Sequence, residues 1–223
     1  MFKEILSAWK EESFLSSIVD EFVEMLRLDL WMFEQSVESL KDHSKADGLK
    51  QELYSEDKNV NKKEQDIRKK LVEHLSINPR QDFVACLVFM SIVKDAERIG
   101  DYAKNIFELT SIIKEGVEDD FGVLLMSLTN TIMKDLEEVI TSFRDSDYEK
   151  AKEIMVRHKE ISSQVESLIR SLSLREDFPS NKIVGYTLFL RYLKRISSHT
   201  ANIASAIVNP LEKIDFAVEG ELK

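Results

Sequence analysis

The sequence has few of the residues that disulfide-linked or turn-rich folds require, namely cysteine, proline and glycine. Its 223 residues include one cysteine, three prolines and six glycines. A single cysteine excludes an intramolecular disulfide framework and a zinc site made only of cysteines. So few glycines and prolines leave little material for the tight turns of an all-β protein. We therefore expect a helical protein in which Cys86 is a small residue of the core.

Positive charge and long apolar runs are also scarce. The chain has 31 lysines and arginines against 41 acids, a formal net charge of -10. This balance argues against a nucleic-acid-binding protein, because phosphate backbones need clustered basic residues. The most apolar segment, Phe83 to Val93, is far shorter than the roughly 20 residues that span a bilayer. Met1 to Lys10 lacks the pattern of a signal peptide. We expect a cytoplasmic protein that meets a membrane only through a partner.

Apolar residues recur every three or four positions along several long segments, which is typical of amphipathic helices. Turn signals such as Asp47–Gly48 and Asn78–Pro79 separate these segments. We expect Asn78 to cap the third helix and Pro79 to occupy its first position. The pattern predicts helices over about residues 13–45, 49–76, 79–114, 121–143, 148–173 and 180–208.

An internal repeat divides the chain. The segment from Glu97 to Ile106 and the segment from Lys194 to Ile203 share arginine, isoleucine and asparagine at matching positions. Such self-similarity indicates one structural unit used twice. We therefore predict an all-α protein of two tandem three-helix bundles. The predicted units are an N-terminal extension at 1–12, a first repeat at 13–116, a second repeat at 117–210 and a C-terminal tail at 211–223.

The N-terminal extension is itself amphipathic. Phe2, Ile5, Leu6 and Trp9 follow helical spacing. We expect a short extra helix docked on the body of the protein. The alternative is a loose extension.

Two acids distinguish the first copy of the repeated motif from the second. Glu97 and Asp101 lie four residues apart, so both carboxylates project from one face of a helix. Like charges at this spacing repel each other unless a cation lies between them. They are candidate metal ligands. The simpler interpretation is a solvated acidic face balanced by Arg98 and Lys94.

The second predicted helix carries a matching acidic stripe. Asp57, Asn61 and Glu64 follow each other at helical spacing. If the second and third helices pack antiparallel, Asp57 and Asn61 face the acids of the third helix. Carboxylate and amide oxygens suit magnesium, manganese or iron better than copper.

The second half of the chain has lost this set of ligands. A lysine there would repel a cation, so we expect at most one metal site, in the first repeat. A transition-metal pair of His158 and His199 is an alternative. We find no glycine-rich phosphate loop, nucleophile elbow or zinc-protease motif, and predict no catalytic residue. The counterparts of Asp57, Asn61, Glu97 and Asp101 are His158, Ser162, Lys194 and Ser198.

These motifs resemble those of a known family. Residues Asp95 to Ile106 resemble the signature of the PhoU family of phosphate-uptake regulators, and Asp57 to Glu64 resembles the acidic motif upstream of it. The resemblance covers about Phe14 to Val208. It implies paired three-helix bundles that bind metal ions and act as adaptors. It also implies contact with a phosphate transporter subunit and a sensor histidine kinase, and related domains accompany sodium–phosphate cotransporters.

The resemblance also implies where a metal binds. The carried-over ligands are Asp57, Asn61, Glu97 and Asp101, and the implied metals are iron, zinc or manganese. We expect a non-enzymatic regulator of phosphate transport or phosphate-starvation signalling, with a homodimer left open. One alternative is a metal-free helical adaptor for another transporter or kinase. Another is a di-metal carboxylate enzyme.

Overall fold

The computed structural model describes residues 13–80, 82–114 and 116–216. The extra helix expected at residues 1–12 lies outside the described residues. Within them the chain forms long helices joined by short turns, as the apolar spacing predicts. The helices are α1 (Ser13–Lys41), α2 (Ala46–Ile77), α3 (Phe83–Glu108), α4 (Asp120–Asp145), α5 (Tyr148–Leu172) and α6 (Ser180–Val208).

The turn between α2 and α3 differs from the predicted one. Asn78 ends α2, where its N–H donates to the carbonyl of His74, and α3 begins only at Phe83. The prediction that Pro79 opens the third helix is therefore wrong. Asp82 precedes α3 in the left-handed conformation (φ 59°), which aspartate tolerates better than most residues. Its carboxylate lies 3.0 Å from Nε2 of His74, which closes the turn.

The break between α1 and α2 also falls earlier than Asp47–Gly48. Helix α1 ends at Lys41, and a short 3-10 turn at His43–Lys45 leads into α2. Asp42 caps this turn, because its carboxylate accepts a hydrogen bond from the Ser44 N–H at 3.1 Å. Asp47 and Gly48 lie in the first turn of α2, where an acid suits the positive end of the helix dipole.

Each repeat is an antiparallel three-helix bundle, and the two share one apolar core. Helices α1 and α3 of the first repeat pack against α4 and α6 of the second. Phe22 of α1, Phe89 of α3 and Phe143 of α4 meet with ring centroids 5.0–5.9 Å apart. Aromatic contacts at such distances add to the stabilisation from buried area. The repeats are therefore one packed body.

A buried carboxylate joins the repeats. Asp95 of α3 is fully buried and accepts hydrogen bonds from His199 Nδ1 at 2.7 Å and Asn202 Nδ2 at 2.9 Å, both on α6. Lys94 donates a third at 2.9 Å. Burial alone would raise the pKa of Asp95, but these hydrogen bonds lower it overall.

Asp119 fixes the start of α4. Its carboxylate accepts the N–H groups of Phe121 and Gly122 at 3.0 and 2.9 Å, and so caps the helix. The same carboxylate receives the Tyr186 hydroxyl and the Lys182 ammonium of α6, each at 2.6 Å. The cap therefore also ties the first helix of the second repeat to the last.

Cys86 is a core residue, as predicted. It is fully buried, and burial raises the pKa of its thiol to about 11. A thiol this weakly acidic is a poor nucleophile at neutral pH. Among the helices of the described ranges, none is long and apolar enough to cross a membrane.

Candidate metal centre in the first repeat

The antiparallel packing of α2 and α3 brings Asp57 and Asp101 together. Nζ of Lys104 lies 2.7 Å from Oδ1 of Asp57 and 3.2 Å from Oδ1 of Asp101, so one ammonium joins the two acids. One turn closer to the start of α2, the Tyr54 hydroxyl donates to Glu108 at 2.6 Å. The predicted juxtaposition of these two helices is present. The sequence analysis did not identify Lys104.

Glu97 lies on the face of α3 that carries Asp101, and Asn61 lies on the face of α2 that carries Asp57. Nε of Arg98 approaches Glu97 at 3.3 Å, and its Nη1 donates to Asp101 at 3.0 Å. Burial and the neighbouring Asp101 carboxylate raise the pKa of Glu97. Asn61 is half-buried one turn beyond Asp57 on α2. Two of the four predicted ligands are thus joined by a lysine, and a third is paired with Arg98.

An acid that the sequence analysis missed lies beneath this cluster. Asp29 of α1 is fully buried, and neither of its carboxylate oxygens has a hydrogen-bond partner among the residues that the structure describes. Burial, together with the charges of Glu97 and Asp57, raises its pKa well above the usual range. The signal was present in the sequence, because Asp29 interrupts the apolar stripe of α1.

Gly100 makes room for this carboxylate. A Cβ atom at Gly100 would lie 2.8 Å from Oδ1 of Asp29 and 3.4 Å from Cγ1 of Val60. The glycine between Glu97 and Asp101 therefore has a packing role, which is to let α3 approach α1. The second copy has Ser197 at this position.

The second repeat also buries an acid on its first helix, but supplies it with a cation. Asp135 of α4 accepts a hydrogen bond from Nε of Arg157 at 2.6 Å, and the same guanidinium pairs with Glu138. Within the described ranges, Oδ2 of Asp135 has no hydrogen-bond partner. Asp135 and Asp29 differ in charge compensation: a guanidinium pairs with Asp135, whereas no cation in the described part of the chain pairs with Asp29.

The two histidines of the second repeat each contact another side chain, and their role as a transition-metal pair stays a prediction. Nδ1 of His158 lies 2.9 Å from the Ser197 hydroxyl, whereas His199 contacts Asp95. Lys194 binds Glu166 at 2.9 Å. Across residues 13–80, 82–114 and 116–216, no three histidine, cysteine, aspartate or glutamate side chains are grouped closely enough to hold a metal ion.

Comparison with known families identifies the family to which the chain belongs. The family model described as the PhoU domain matches residues 22–110 and 125–207, one segment in each repeat. The chain belongs to the PhoU family. Both matched segments fall inside the predicted repeats at 13–116 and 117–210, whose outer limits stay predictions.

Curated PhoU proteins resemble the chain along most of its length. One, from Rhizobium meliloti, is 29% identical over 211 residues, which cover 91% of this chain and 86% of the relative. Another, from Clostridium acetobutylicum, is 19% identical and covers 87% of this chain and 92% of the relative. Both bear the name phosphate-specific transport system accessory protein PhoU homolog.

Solved PhoU structures confirm the fold. PhoU from Pseudomonas aeruginosa superposes with a TM-score of 0.78 at 24% identity, over 87% of this chain and 95% of that one. The phosphate transport system regulatory protein PhoU from Streptococcus pneumoniae gives 0.74 at 19% identity, over 100% and 99%. The predicted all-α architecture of tandem three-helix bundles is correct.

The residues present can be tested against the metal that the PhoU resemblance implies. The four predicted ligands offer only oxygen donors, which suit hard or borderline cations. The buried carboxyl of Asp29 lies against Gly100 in the same region, and its raised pKa favours the neutral form. The described residues do not bring three such side chains close enough together to hold an ion, and Lys104 already pairs with Asp57 and Asp101. The metal-ligand role of Asp57, Asn61, Glu97 and Asp101 stays a prediction.

Proposed function

We propose that this PhoU-family chain is a non-catalytic regulator of a phosphate transport system and acts by protein–protein contact. The observation that carries the proposal is the shared name of the two curated relatives, accessory protein of phosphate-specific transport, joined to matches that span most of each relative. Fold alone would not carry it, because one fold serves many functions. The name describes an accessory protein and not an enzyme.

The chemistry of the chain agrees with such a role. The partner would be a phosphate transporter subunit or a sodium–phosphate cotransporter, with a sensor histidine kinase as a second contact. A net charge of -10 favours approach to a basic surface, such as the cytoplasmic face of a membrane transporter. The regulator would work in the cytoplasm, held at the membrane by its partner.

We further propose that a metal ion binds in the first repeat and modulates this regulation. Asp57, Asn61, Glu97 and Asp101 would hold it, and iron, zinc or manganese fits their oxygen donors. When bound, the metal would supply positive charge between α2 and α3. Its occupancy would then bias how tightly the two helices hold together, and so the surface that they present.

The test is phosphate uptake in cells of the source organism that lack the gene. Deletion should release the restraint on uptake, so that radiolabelled phosphate enters phosphate-replete cells faster than in the parent strain. Reintroducing the wild-type chain, or the exposed-site control Glu160→Gln, should restore the parental rate. An unchanged rate after deletion would contradict the proposal.

A second candidate is a metal-free helical adaptor for another transporter or kinase. It is favoured by Lys104, which already supplies Asp57 and Asp101 with a positive charge. Substituting Asp101→Asn in the complementing chain separates the two. Metal-linked regulation of phosphate uptake weakens in this variant, whereas a metal-free adaptor is indifferent to the substitution, so its variant and wild-type chains behave alike. The di-metal enzyme has less support, because the relatives are named accessory proteins.

A further inference from the structure

The end of the first repeat that carries the turn between α2 and α3 exposes large apolar side chains. Ile77, the last residue of α2, is 78% exposed, and Phe83 and Val84, which begin α3, are 50% and 42% exposed. The contact between His74 and Asp82 closes this turn, so the two helix ends lie side by side. Single exposed apolar residues are normal, but several at one place indicate an interaction surface. Ile77, Phe83 and Val84 are called the end patch.

The start of α1 lies beside the end patch. The Phe14 ring stacks on the His74 imidazole with centroids 4.0 Å apart, and farther along the two helices Glu24 binds Lys63 at 3.0 Å. These contacts show that α1 and α2 are antiparallel. Ile77 lies three residues beyond His74, on the side toward which α1 begins. The segment that precedes α1 is therefore joined to the molecule next to this patch.

The preceding segment, residues 1–12, has the composition that an apolar patch would bind. Phe2, Ile5, Leu6 and Trp9 recur at the spacing of one helix face. A helix of twelve residues is about 18 Å long, whereas neighbouring helices of a bundle are about 8–10 Å apart. A segment of this length is therefore long enough to cross the ends of both α2 and α3.

The charges at the junction are complementary. Glu11 and Glu12 precede α1, and Arg80 is exposed in the turn between α2 and α3. Exposed ion pairs contribute little stability, so this complementarity would orient the segment more than hold it.

The second repeat packs the position that corresponds to Ile77. When α2 is aligned with α5 as above, the counterpart of Ile77 is Phe178. Phe178 is half-buried and packs edge-on against Phe121 and Tyr186, with ring centroids 6.4 and 6.0 Å apart. An aromatic side chain from the first helix of the second repeat thus covers this place. In the described part of the first repeat the corresponding place is open, with Ile77 exposed.

We propose that residues 1–12 pack their apolar face onto the end patch, so that the chain closes the end of the first repeat with its own N-terminal segment. The length of the segment, its attachment beside the patch and its apolar spacing favour this occupant over a second copy of the chain. A tethered segment also holds its site at a high effective concentration, which a separate partner must overcome. The patch is then available to a partner only when the segment leaves. The proposal does not involve the acids of α2 and α3 and does not depend on the phosphate-transport role.

The test is tryptophan fluorescence of the full chain, which has two tryptophans, Trp9 and Trp31. Trp31→Phe leaves Trp9 as the only reporter. In this single-tryptophan chain we expect Trp9 to emit at a shorter wavelength than an indole in water and to be shielded from quenching by acrylamide. Adding Ile77→Ser/Phe83→Ser gives the patch variant, in which the emission should shift to longer wavelength and the shielding should be lost.

Leu174→Ser/Val184→Ser is the matched control, because these apolar side chains are 80% and 51% exposed in the second repeat. It should leave the emission of Trp9 unchanged. A Trp9 open to acrylamide in the single-tryptophan chain would overturn the proposal, as would shielding that survives in the patch variant. Shielding that disappears on dilution would assign the patch to a second copy and would overturn it too. If the patch variant fails to fold by circular dichroism, Ile77→Ser alone takes its place under the same criteria.

Discussion

At the scale of single residues, the contact between Asp29 and Gly100 explains why the first motif contains glycine. The carboxylate of Asp29 lies where a side chain at position 100 would begin. Because helices pack at near-crystalline density, even one added methyl group is felt at such a contact. The glycine is required by packing between α1 and α3, whatever the acids beside it bind.

Substituting Gly100→Ala should therefore lower the free energy of unfolding by about 1–3 kcal/mol, because the new Cβ would overlap Oδ1 of Asp29. Urea denaturation measures this. In an Asp29→Ala background the same substitution should cost much less, since the overlapping atom is gone. Gly48→Ala is the control. Nothing lies within 4 Å of its Cβ position, so it should raise stability by up to about 1 kcal/mol. A neutral Gly100→Ala would contradict the packing role.

Part of the candidate site could be predicted at this scale. Helical spacing alone placed Asp57 and Asp101 on facing stripes, and Lys104 confirms that they meet. The same spacing did not find Lys104, because a long flexible side chain can reach several neighbours and the sequence does not say which. Asp29 was missed although it interrupts the apolar stripe of α1, because that interruption does not tell how deeply the acid is buried.

At the scale of helices, the N-terminal ends of α4 and α5 differ in the number of contacts that stabilise them. Asp119 caps α4 and also binds Lys182 and Tyr186 of α6, whereas Asp147 caps α5 through a single hydrogen bond to the N–H of Lys150. The two capping aspartates therefore make different numbers of contacts, and removing them should lower the free energy of unfolding by different amounts.

Predicted helix limits were close at α5 and α6. They failed at α3, because the left-handed Asp82 delays its start.

Asp119→Ala should accordingly lower the free energy of unfolding more than Asp147→Ala does. Loss of a cap costs about 1 kcal/mol on average, and little more is lost at Asp147, because its ion pair with Lys150, at 3.7 Å, is exposed. At Asp119 the hydroxyl of Tyr186 and the ammonium of Lys182 lose a partner as well. Thermal or urea unfolding of the two variants at pH 7 gives the comparison. Equal losses would show that the contacts with α6 add nothing.

The same residue predicts how stability depends on pH. Burial would raise the pKa of Asp119, but hydrogen bonds from Lys182, Tyr186 and the Gly122 amide lower it to about 2. The folded value thus lies below the ordinary value of 3.8. Its contribution to stability is then complete above about pH 4 and is lost as the pH falls toward 2. Asp119→Asn should flatten the stability curve in that interval. A slope identical to that of wild type would contradict this assignment.

At the scale of the whole molecule, the repeats are joined by an apolar core and by Asp95. The repeated motif allowed the tandem architecture to be predicted. It did not indicate that Asp95 meets His199 and Asn202, because pairing between α3 and α6 depends on how two bundles dock and leaves no periodic signal in either helix. The fold was therefore more predictable than the junction between its halves.

Asp95→Ala should destabilise the protein by about 3–5 kcal/mol, because it leaves His199, Asn202 and Lys94 without their buried partner. Urea denaturation followed by both tryptophan fluorescence and circular dichroism checks this. Glu160→Ala, on the exposed face of α5, serves as the control and should change stability by less than about 0.5 kcal/mol. A loss at Asp95 no larger than at Glu160 would show that the carboxylate does not hold the repeats together.

The central claim is that two repeats of one fold differ in their cation chemistry, with acids between α2 and α3 and none at the matching place between α5 and α6. The most direct measurement is anomalous diffraction from crystals of wild type and of Asp101→Asn soaked in Mn²⁺. The account predicts a peak beside Asp57 and Asp101 in wild type, weaker in Asp101→Asn, and none beside His158 and Ser198. A peak in the second repeat, or none in either crystal, would contradict it.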